Sequence, residues 1–164
     1  MRVLLKLVLD CEPDAAWLAL RSPAVFREVS SPLMAFTSLD PGGFTEVWSE
    51  GEHRVAARAF GVVPAGEQLI DIHTEERLDR PHGKHETPVA VRIVHDTGRG
   101  LTWPLTLTTH WHHRMAVSAL PDGRTLYRDQ LEFSAGVLTP LVWAAYWTFW
   151  QWRALAITRL ARDW

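Results

Sequence analysis

Two stretches of alternating sequence each carry a side chain that can take part in acid–base chemistry. Apolar residues occupy every second position of both stretches, and His113 and Asp129 fall in the same positions as those apolar residues. If residues 121–123 (Pro-Asp-Gly) form a three-residue hairpin loop, Met115 pairs with Asp129 across the hairpin. His113 then lies one diagonal step from Asp129 on the same face, within reach of a hydrogen bond.

A carboxylate on an inner face must be paired or protonated, because burying it alone costs too much free energy. One interpretation is that His113 and Asp129, together with Tyr127, form the polar end of an apolar pocket. There they would orient a ligand or move a proton. The other interpretation is that Asp129 only holds His113 or an arginine and stabilises the sheet.

Strand periodicity predicts which other side chains share the inner face, because alternate residues of a strand point to the same side. Arg128, Gln130 and Glu132 are predicted to face outward. Inward-facing residues of the two strands, together with rings of a long terminal helix, give the predicted ligand-binding set: Trp111, His113, Tyr127, Asp129, Trp143, Tyr146, Trp147 and Trp150. Asp129 and His113 are the candidates for catalytic residues.

Two groups of histidines have spacings that can bind a metal. His110 and His112 form a His-x-His pair, but both fall on the polar face and no third ligand is fixed nearby, so we predict a solvated pair. A second cluster, His82, His85 and Glu86, surrounds a predicted surface turn. We therefore predict no metal, and no phosphate-binding or nucleophile motif indicates another cofactor.

Composition limits the class of protein. The chain has 164 residues, enough for one domain over residues 1–164, and its net charge of −2 gives no reason to expect a nucleic-acid partner. Its single cysteine, Cys11, fits a reducing compartment. Lys6 and Asp10 interrupt the first apolar run, which is too short for a signal peptide. The apolar run over residues 137–152 is shorter than the roughly 20 residues that a membrane span needs. We expect a cytoplasmic protein. Only Lys6 and Lys84 of the 17 basic residues are lysine, and such an excess of arginine is typical of a GC-rich bacterium, so we also expect a bacterial protein.

The elements that must position these side chains follow from turn signals and periodicity. A strand over residues 2–10 and two short helices over residues 12–32 are predicted first. Six strands separated by turn residues follow, near 34–39, 53–60, 68–75, 88–95, 105–118 and 124–133.

A final helix begins near Gly136 and carries many aromatic rings. Its predicted buried stripe is Leu138, Val142, Ala145, Phe149, Trp152, Ala156 and Leu160. Because Trp143, Trp147 and Trp150 widen the apolar arc beyond this stripe, we expect protein on more than one side of the helix.

This order of elements resembles the START-like superfamily, which includes polyketide cyclases, pollen-allergen-type lipid binders and the SRPBCC group. The local phrases that carry the resemblance are WSEGEHRVAARAFGVVPAG (48–66), WHHRMAV (111–117) and LYRDQLEFSAGVLTPLVW (126–143). The resemblance implies an α+β helix-grip fold, in which a curved seven-stranded antiparallel sheet wraps around the last helix. It also implies a cavity between sheet and helix that binds apolar or amphipathic ligands.

Three functions remain open from the sequence. The first is binding of a hydrophobic or amphipathic small molecule, similar to a lipid or polyketide, and the second is a cyclase, dehydratase or isomerase that uses Asp129 and His113. The third is a dimerisation or membrane-docking module, indicated by Trp147 and Trp164. The expected protein is a monomer or homodimer.

Overall fold

The computed structural model describes residues 1–79 and 88–164. Within these residues, one open antiparallel sheet has the strand order β1-β8-β7-β5-β4-β3-β2, and a short β6 pairs with β4 beside it. The strands are β1 (Arg2–Leu9), β2 (Met34–Ser38), β3 (Gly51–Ala59), β4 (Val63–Asp79), β5 (Val89–Asp96), β6 (Arg99–Gly100), β7 (His110–Ala119) and β8 (Thr125–Ser134). The helices are α1 (Pro13–Leu20), α2 (Pro23–Ser30) and α3 (Thr139–Leu160). The predicted fold class is confirmed.

The two short helices begin where the sequence signals predict. Each has proline in its first turn, where the missing N–H costs nothing. At the start of α2 the Ser22 hydroxyl accepts a hydrogen bond from the Val25 amide at 3.4 Å, and this cap separates α1 from α2. The chain then enters β2 after Pro32.

The predicted strand over residues 105–118 is too long. Leu105–Leu107 form a 3₁₀ turn after Pro104, and β7 begins only at His110. Proline has no N–H to give to a sheet, so the stretch that follows it turns before pairing begins. Thr109 resumes the pairing, because its amide donates to the Ser134 carbonyl oxygen at 2.8 Å.

The short strand β6 is an addition to the seven predicted strands. It pairs Arg99 with Leu69 and Gly100 with Gln68. A Cβ atom at Gly98 would overlap the Leu69 carbonyl oxygen, so only glycine permits this close approach. The turn after β5 is therefore held tightly against β4.

The long helix packs on β1 and α2 with a different face from the predicted one. The fully buried residues of α3 are Trp150, Arg153 and Ile157, whereas Trp152 of the predicted stripe is 37% exposed. Protein covers this helix mainly on one side, since Leu141 and Leu155 are exposed to 71% and 70%. The expectation of protein on more than one side is wrong.

Candidate ligand-binding site

The hairpin between β7 and β8 brings the predicted acid and base together. The amide of Leu120 donates to the Arg124 carbonyl oxygen at 2.8 Å and closes the three-residue loop. Met115 pairs with Asp129 in the sheet, and the distance from His113 Nε2 to Asp129 Oδ1 is 2.8 Å. The register and the contact agree with the prediction from the loop.

The carboxylate of Asp129 is buried and surrounded by donors. Its Oδ1 also accepts a hydrogen bond from Trp150 Nε1 at 2.8 Å, and its Oδ2 accepts one from the Tyr127 hydroxyl at 2.6 Å. Asp129 is only 1% exposed. An ionised carboxylate can only accept, so His113 Nε2 carries a proton and donates it to Asp129.

These donors decide the charge of Asp129. Burial alone would raise the pKa of its carboxyl group, but His113, Arg153 and the Tyr127 hydroxyl outweigh burial and lower this pKa to about 2. Burial and the negative charge of Asp129 together raise the pKa of Tyr127 well above its ordinary value. Asp129 therefore stays ionised and Tyr127 stays a donor, which leaves His113 as the proton-transferring candidate of this group.

Arg153 belongs to the same group, although the sequence analysis did not select it. It is 5% exposed, and its Nη2 lies 3.9 Å from Asp129 Oδ2. The signal that would have found it is the helical spacing of Tyr146, Trp150, Arg153 and Ile157, which puts all four on one face. The buried cluster is therefore an ionised acid, a cation and a histidine.

A cavity of about 50 Å³ lies beside this cluster, where α1, α2 and the end of α3 face the sheet. Polar side chains border it at Asp96, His113 and Arg153, and the rest of its wall is apolar. Asp96 serves the fold, because its carboxylate accepts hydrogen bonds from the Gly98 and Asp71 amides and from Trp111 Nε1, each at 3.0 Å. This volume holds a group of a few heavy atoms. It is well below the roughly 300 Å³ of a typical small-molecule site.

The space beside the aromatic half of α3 is filled by rings. Trp111 packs edge-to-face on Tyr146 and Trp150, with ring centroids 5.5 Å and 6.2 Å apart. Trp143 and Trp147 lie outside this contact, since Trp143 Nε1 donates to the Arg2 carbonyl oxygen and the two indoles stack on each other. Among the predicted site residues, His113 borders the 50 Å³ cavity.

The remaining predicted residues take different places. Trp111 and Tyr146 border a smaller gap of about 20 Å³. Trp147 is 46% exposed. Trp164, which the sequence suggested as a docking residue, packs on the core and borders the cavity.

The His-x-His pair of β7 lies on the opposite face of the sheet. His112 Nε2 is 3.1 Å from His95 Nδ1, and His95 Nε2 is 3.1 Å from Glu75 Oε2. Burial, together with the neighbouring His95, lowers the pKa of His112. Within residues 1–79 and 88–164, no group of three His, Cys, Asp or Glu side chains could hold a metal ion. The other predicted cluster lies outside the described residues: His82, His85 and Glu86.

Among the described residues, every helix is too short or too polar to span a membrane.

Comparison with known proteins identifies the fold. No protein-family model and no curated protein matches the chain. Solved structures do match over nearly its whole length. A protein from Chromobacterium violaceum is 14% identical, with a TM-score of 0.62, over 98% of this chain and 97% of the other. The Zhui aromatase/cyclase from Streptomyces sp. R1128 is 11% identical, with a TM-score of 0.61, over 98% and 93%.

A hypothetical protein from Helicobacter pylori is 12% identical, with a TM-score of 0.61, over 99% of this chain and 88% of the other. Identities this low establish the fold and not the activity. The chain has the START-like, helix-grip fold.

Proposed function

We propose that this protein binds a small, mainly apolar molecule with one polar end, in the cavity between the sheet, α2 and the C-terminal half of α3. One observation carries the proposal: a largely apolar cavity is bordered by the buried side chains of His113 and Arg153, whose hydrogen-bonding groups the fold leaves partly unused. The third polar side chain at the cavity, Asp96, is engaged by three hydrogen bonds within the fold. Small-molecule sites typically combine apolar walls with a few converging polar groups that orient the ligand. A solved structure of the same fold is named an aromatase/cyclase, which is compatible with a small-molecule role.

The size of the cavity limits how such a ligand binds. A group of a few atoms fits the 50 Å³ as it stands, and a longer molecule has to displace part of the wall. The wall on the side of α2 and of the residues after α3 includes partly buried side chains that pack on the core, namely Val25, Phe26 and Trp164. These residues are less buried than the sheet residues Ile70 and Ile72 opposite, so we expect the ligand to enter from this side.

We expect small amphipathic ligands to stabilise the wild-type protein and to lose this effect in the Ala19→Leu variant. Ala19 is buried and borders the cavity, so a leucine there fills the space that the ligand needs. A ligand at one hundred times its Kd adds about 2.7 kcal/mol of unfolding free energy. For a chain of this length that raises Tm by roughly 5–10 °C, which thermal unfolding with a panel of small apolar acids, alcohols and ketones measures.

Leu18→Phe is the matched control, because Leu18 is the neighbouring residue of α1 and is 59% exposed. This variant should keep the full ligand-induced shift. Equal shifts in the Ala19→Leu variant and the wild type would place binding outside this cavity, and a panel without any stabilising compound would contradict the proposal.

The position of His113 favours a second candidate function, an acid–base enzyme of the cyclase, dehydratase or isomerase type. Asp129 holds Nε2 of the ring, while Nδ1 makes no hydrogen bond with the residues that the structure describes. A histidine that a buried carboxylate orients, at the border of a cavity, is an arrangement that general acid–base catalysis uses. In this enzyme His113 transfers the proton and Asp129 positions it.

For this second candidate we expect the wild-type protein to accelerate hydrogen–deuterium exchange at the α-carbon of 2-tetralone, followed by NMR. His113→Gln should reduce the acceleration by about 10²-fold or more, since a positioned acid or base contributes that much. His110→Gln is the control, because His110 lies on the same strand and is exposed. Equal exchange in the wild type and the His113→Gln variant would remove His113 from any proton transfer.

A further inference from the structure

Arg153 is a buried cation that makes no hydrogen bond of ordinary length to an oxygen or nitrogen atom of the described residues, although it lies close enough to the Tyr127 hydroxyl to interact with it. Its side chain is 6% exposed, and its guanidinium lies 5.4 Å from the centroid of the Trp150 ring. Nη2 reaches the sulfur of Met115 at 3.9 Å, a weak contact. Nε is buried and has no hydrogen-bond partner among residues 1–79 and 88–164. Since a guanidinium carries five N–H donors, most of its capacity remains.

Asp129 does not use this capacity. The 3.9 Å between Arg153 Nη2 and Asp129 Oδ2 exceeds hydrogen-bond distance. The carboxylate already accepts shorter bonds from His113, Trp150 and Tyr127, at 2.8, 2.8 and 2.6 Å. Asp129 offsets the charge of Arg153 but leaves its donors unsatisfied. Buried donors in folded proteins nearly always have partners, and three buried Nε atoms of the described residues lack one, those of Arg21, Arg128 and Arg153. Of these three arginines, Arg153 is the one that borders the 50 Å³ cavity, where a ligand could supply the acceptor.

An acceptor for Arg153 has room in the 50 Å³ cavity that Arg153 and His113 border. Asp96 borders the same cavity, but three donors of the fold already hold its carboxylate. We propose that Arg153 binds the carboxylate of an apolar carboxylic acid, whose hydrocarbon part lies along the apolar wall. This inference rests on the proposed ligand-binding function and names the chemical class of the ligand. Arg153 thereby becomes the residue that selects acids over neutral molecules of the same shape.

A carboxylate fits these constraints better than other polar groups. It is planar and accepts two parallel N–H bonds from the guanidinium fork, which a hydroxyl or a ketone cannot do. A bound carboxylate also adds a negative charge beside Arg153, whose ion-pair partner Asp129 is shared with His113. A phosphate carries up to two negative charges, and the second charge would meet the carboxylate of Asp96 at the same cavity.

The test compares acids with neutral amides of the same shape, so that only the charge and the acceptor differ. Benzoate and octanoate are titrated against benzamide and octanamide by calorimetry, with the wild type and the Arg153→Lys and Arg153→Gln variants. We expect the wild type to bind each acid at least tenfold more tightly than its amide. Arg153→Lys keeps the charge but loses the planar fork and should weaken acid binding about tenfold. Arg153→Gln should bind acid and amide equally.

The wild-type comparison stands on its own if a variant is unstable, because it needs no substitution. Arg159→Gln, on an exposed position of the same helix, should keep the wild-type preference. In ¹⁵N-arginine-labelled protein, the Nε–H resonance that disappears in Arg153→Lys should shift on addition of benzoate but not of benzamide. The relative affinities of benzoate, the shorter acid, and octanoate, the longer one, show whether the ligand is a small free acid or the carboxylate end of a longer chain.

Each outcome has one meaning. Equal binding of acid and amide by the wild type, or an acid preference that survives in Arg153→Gln, overturns the assignment of Arg153 while small-molecule binding stands. Failure of all four compounds to bind overturns both this inference and the proposed function.

Discussion

We expect the Asp129→Asn substitution to lower the free energy of unfolding by about 3–5 kcal/mol, although it removes only one charge and changes the side-chain volume little. The reason is the set of donors around the carboxylate. Three of them point at Asp129, and an asparagine amide would turn its NH₂ group towards some of them. The substitution also leaves the buried Arg153 without a counter-charge. Urea unfolding followed by tryptophan fluorescence and far-UV circular dichroism measures the loss.

Glu132→Gln is the matched control, since Glu132 lies three residues along the same strand and its ion pair with Arg2 is largely exposed. It should cost less than about 1 kcal/mol. Adding Arg153→Met to Asp129→Asn should recover about 1–3 kcal/mol relative to the sum of the two single losses, because the second substitution removes the stranded cation. A loss below about 1 kcal/mol for Asp129→Asn would mean that the carboxylate is not the centre of the buried cluster.

Acid unfolding offers a second measurement of the same carboxylate. Its pKa in the folded protein is about 2, below the ordinary value of 3.8. A group with a depressed folded-state pKa stabilises the protein fully above its unfolded-state pKa and loses this effect as pH falls towards the folded-state pKa. The wild type should therefore lose on the order of 2 kcal/mol between about pH 4 and pH 2. The Asp129→Asn variant should lack this part of the acid dependence.

The sheet and the hairpin at the site were predictable because their patterns are local. Alternation in β7 and β8 has a period of two, so one buried residue such as Tyr127 determines which side chains face inward. The Pro-Asp-Gly loop then sets the register, which is why the pairing of Met115 with Asp129 and the contact with His113 follow from sequence.

The rotation of α3 was not predictable in the same way. A helix with apolar residues on all sides has no single apolar stripe, so periodicity offers several faces of similar quality. The sheet makes the selection, because Trp150 donates to Asp129 and Trp143 donates to the first strand. Arg153 was missed for this reason, since it is not part of the predicted stripe and becomes buried only in the observed rotation of the helix.

The position of the cavity depends on the same rotation. Because Trp150 faces inward, aromatic rings fill the part of the interior where the sequence predicted the ligand. The remaining cavity lies between the sheet, α2 and the end of α3, beside Trp164. Whether the rings of a long helix fill a cavity or border it depends on packing between elements far apart in sequence, which no local pattern contains.

We expect the Trp150→Ala substitution to cost about 3–5 kcal/mol of unfolding free energy. Trp150 is 2% exposed, packs edge-to-face on Trp111 and His113, and donates to Asp129. Removing the indole leaves a space next to the existing cavity and an acceptor without its donor. Trp150→Phe keeps most of the ring and loses only the N–H group, so it should cost less, about 1–3 kcal/mol.

Trp147→Ala is a closely matched control, because the same residue type is removed from the same helix at a position that is 46% exposed. It should cost less than about 1 kcal/mol, and a cost equal to that of Trp150→Ala would mean that α3 presents a different face to the sheet. The space left by Trp150 has the shape of indole, and the N–H group of a bound indole can donate to Asp129 as Trp150 Nε1 does. A cavity of matching shape takes up such a small molecule. Indole should therefore raise the Tm of Trp150→Ala but not that of Trp147→Ala, and absence of this rescue would show that the neighbouring rings collapse into the space.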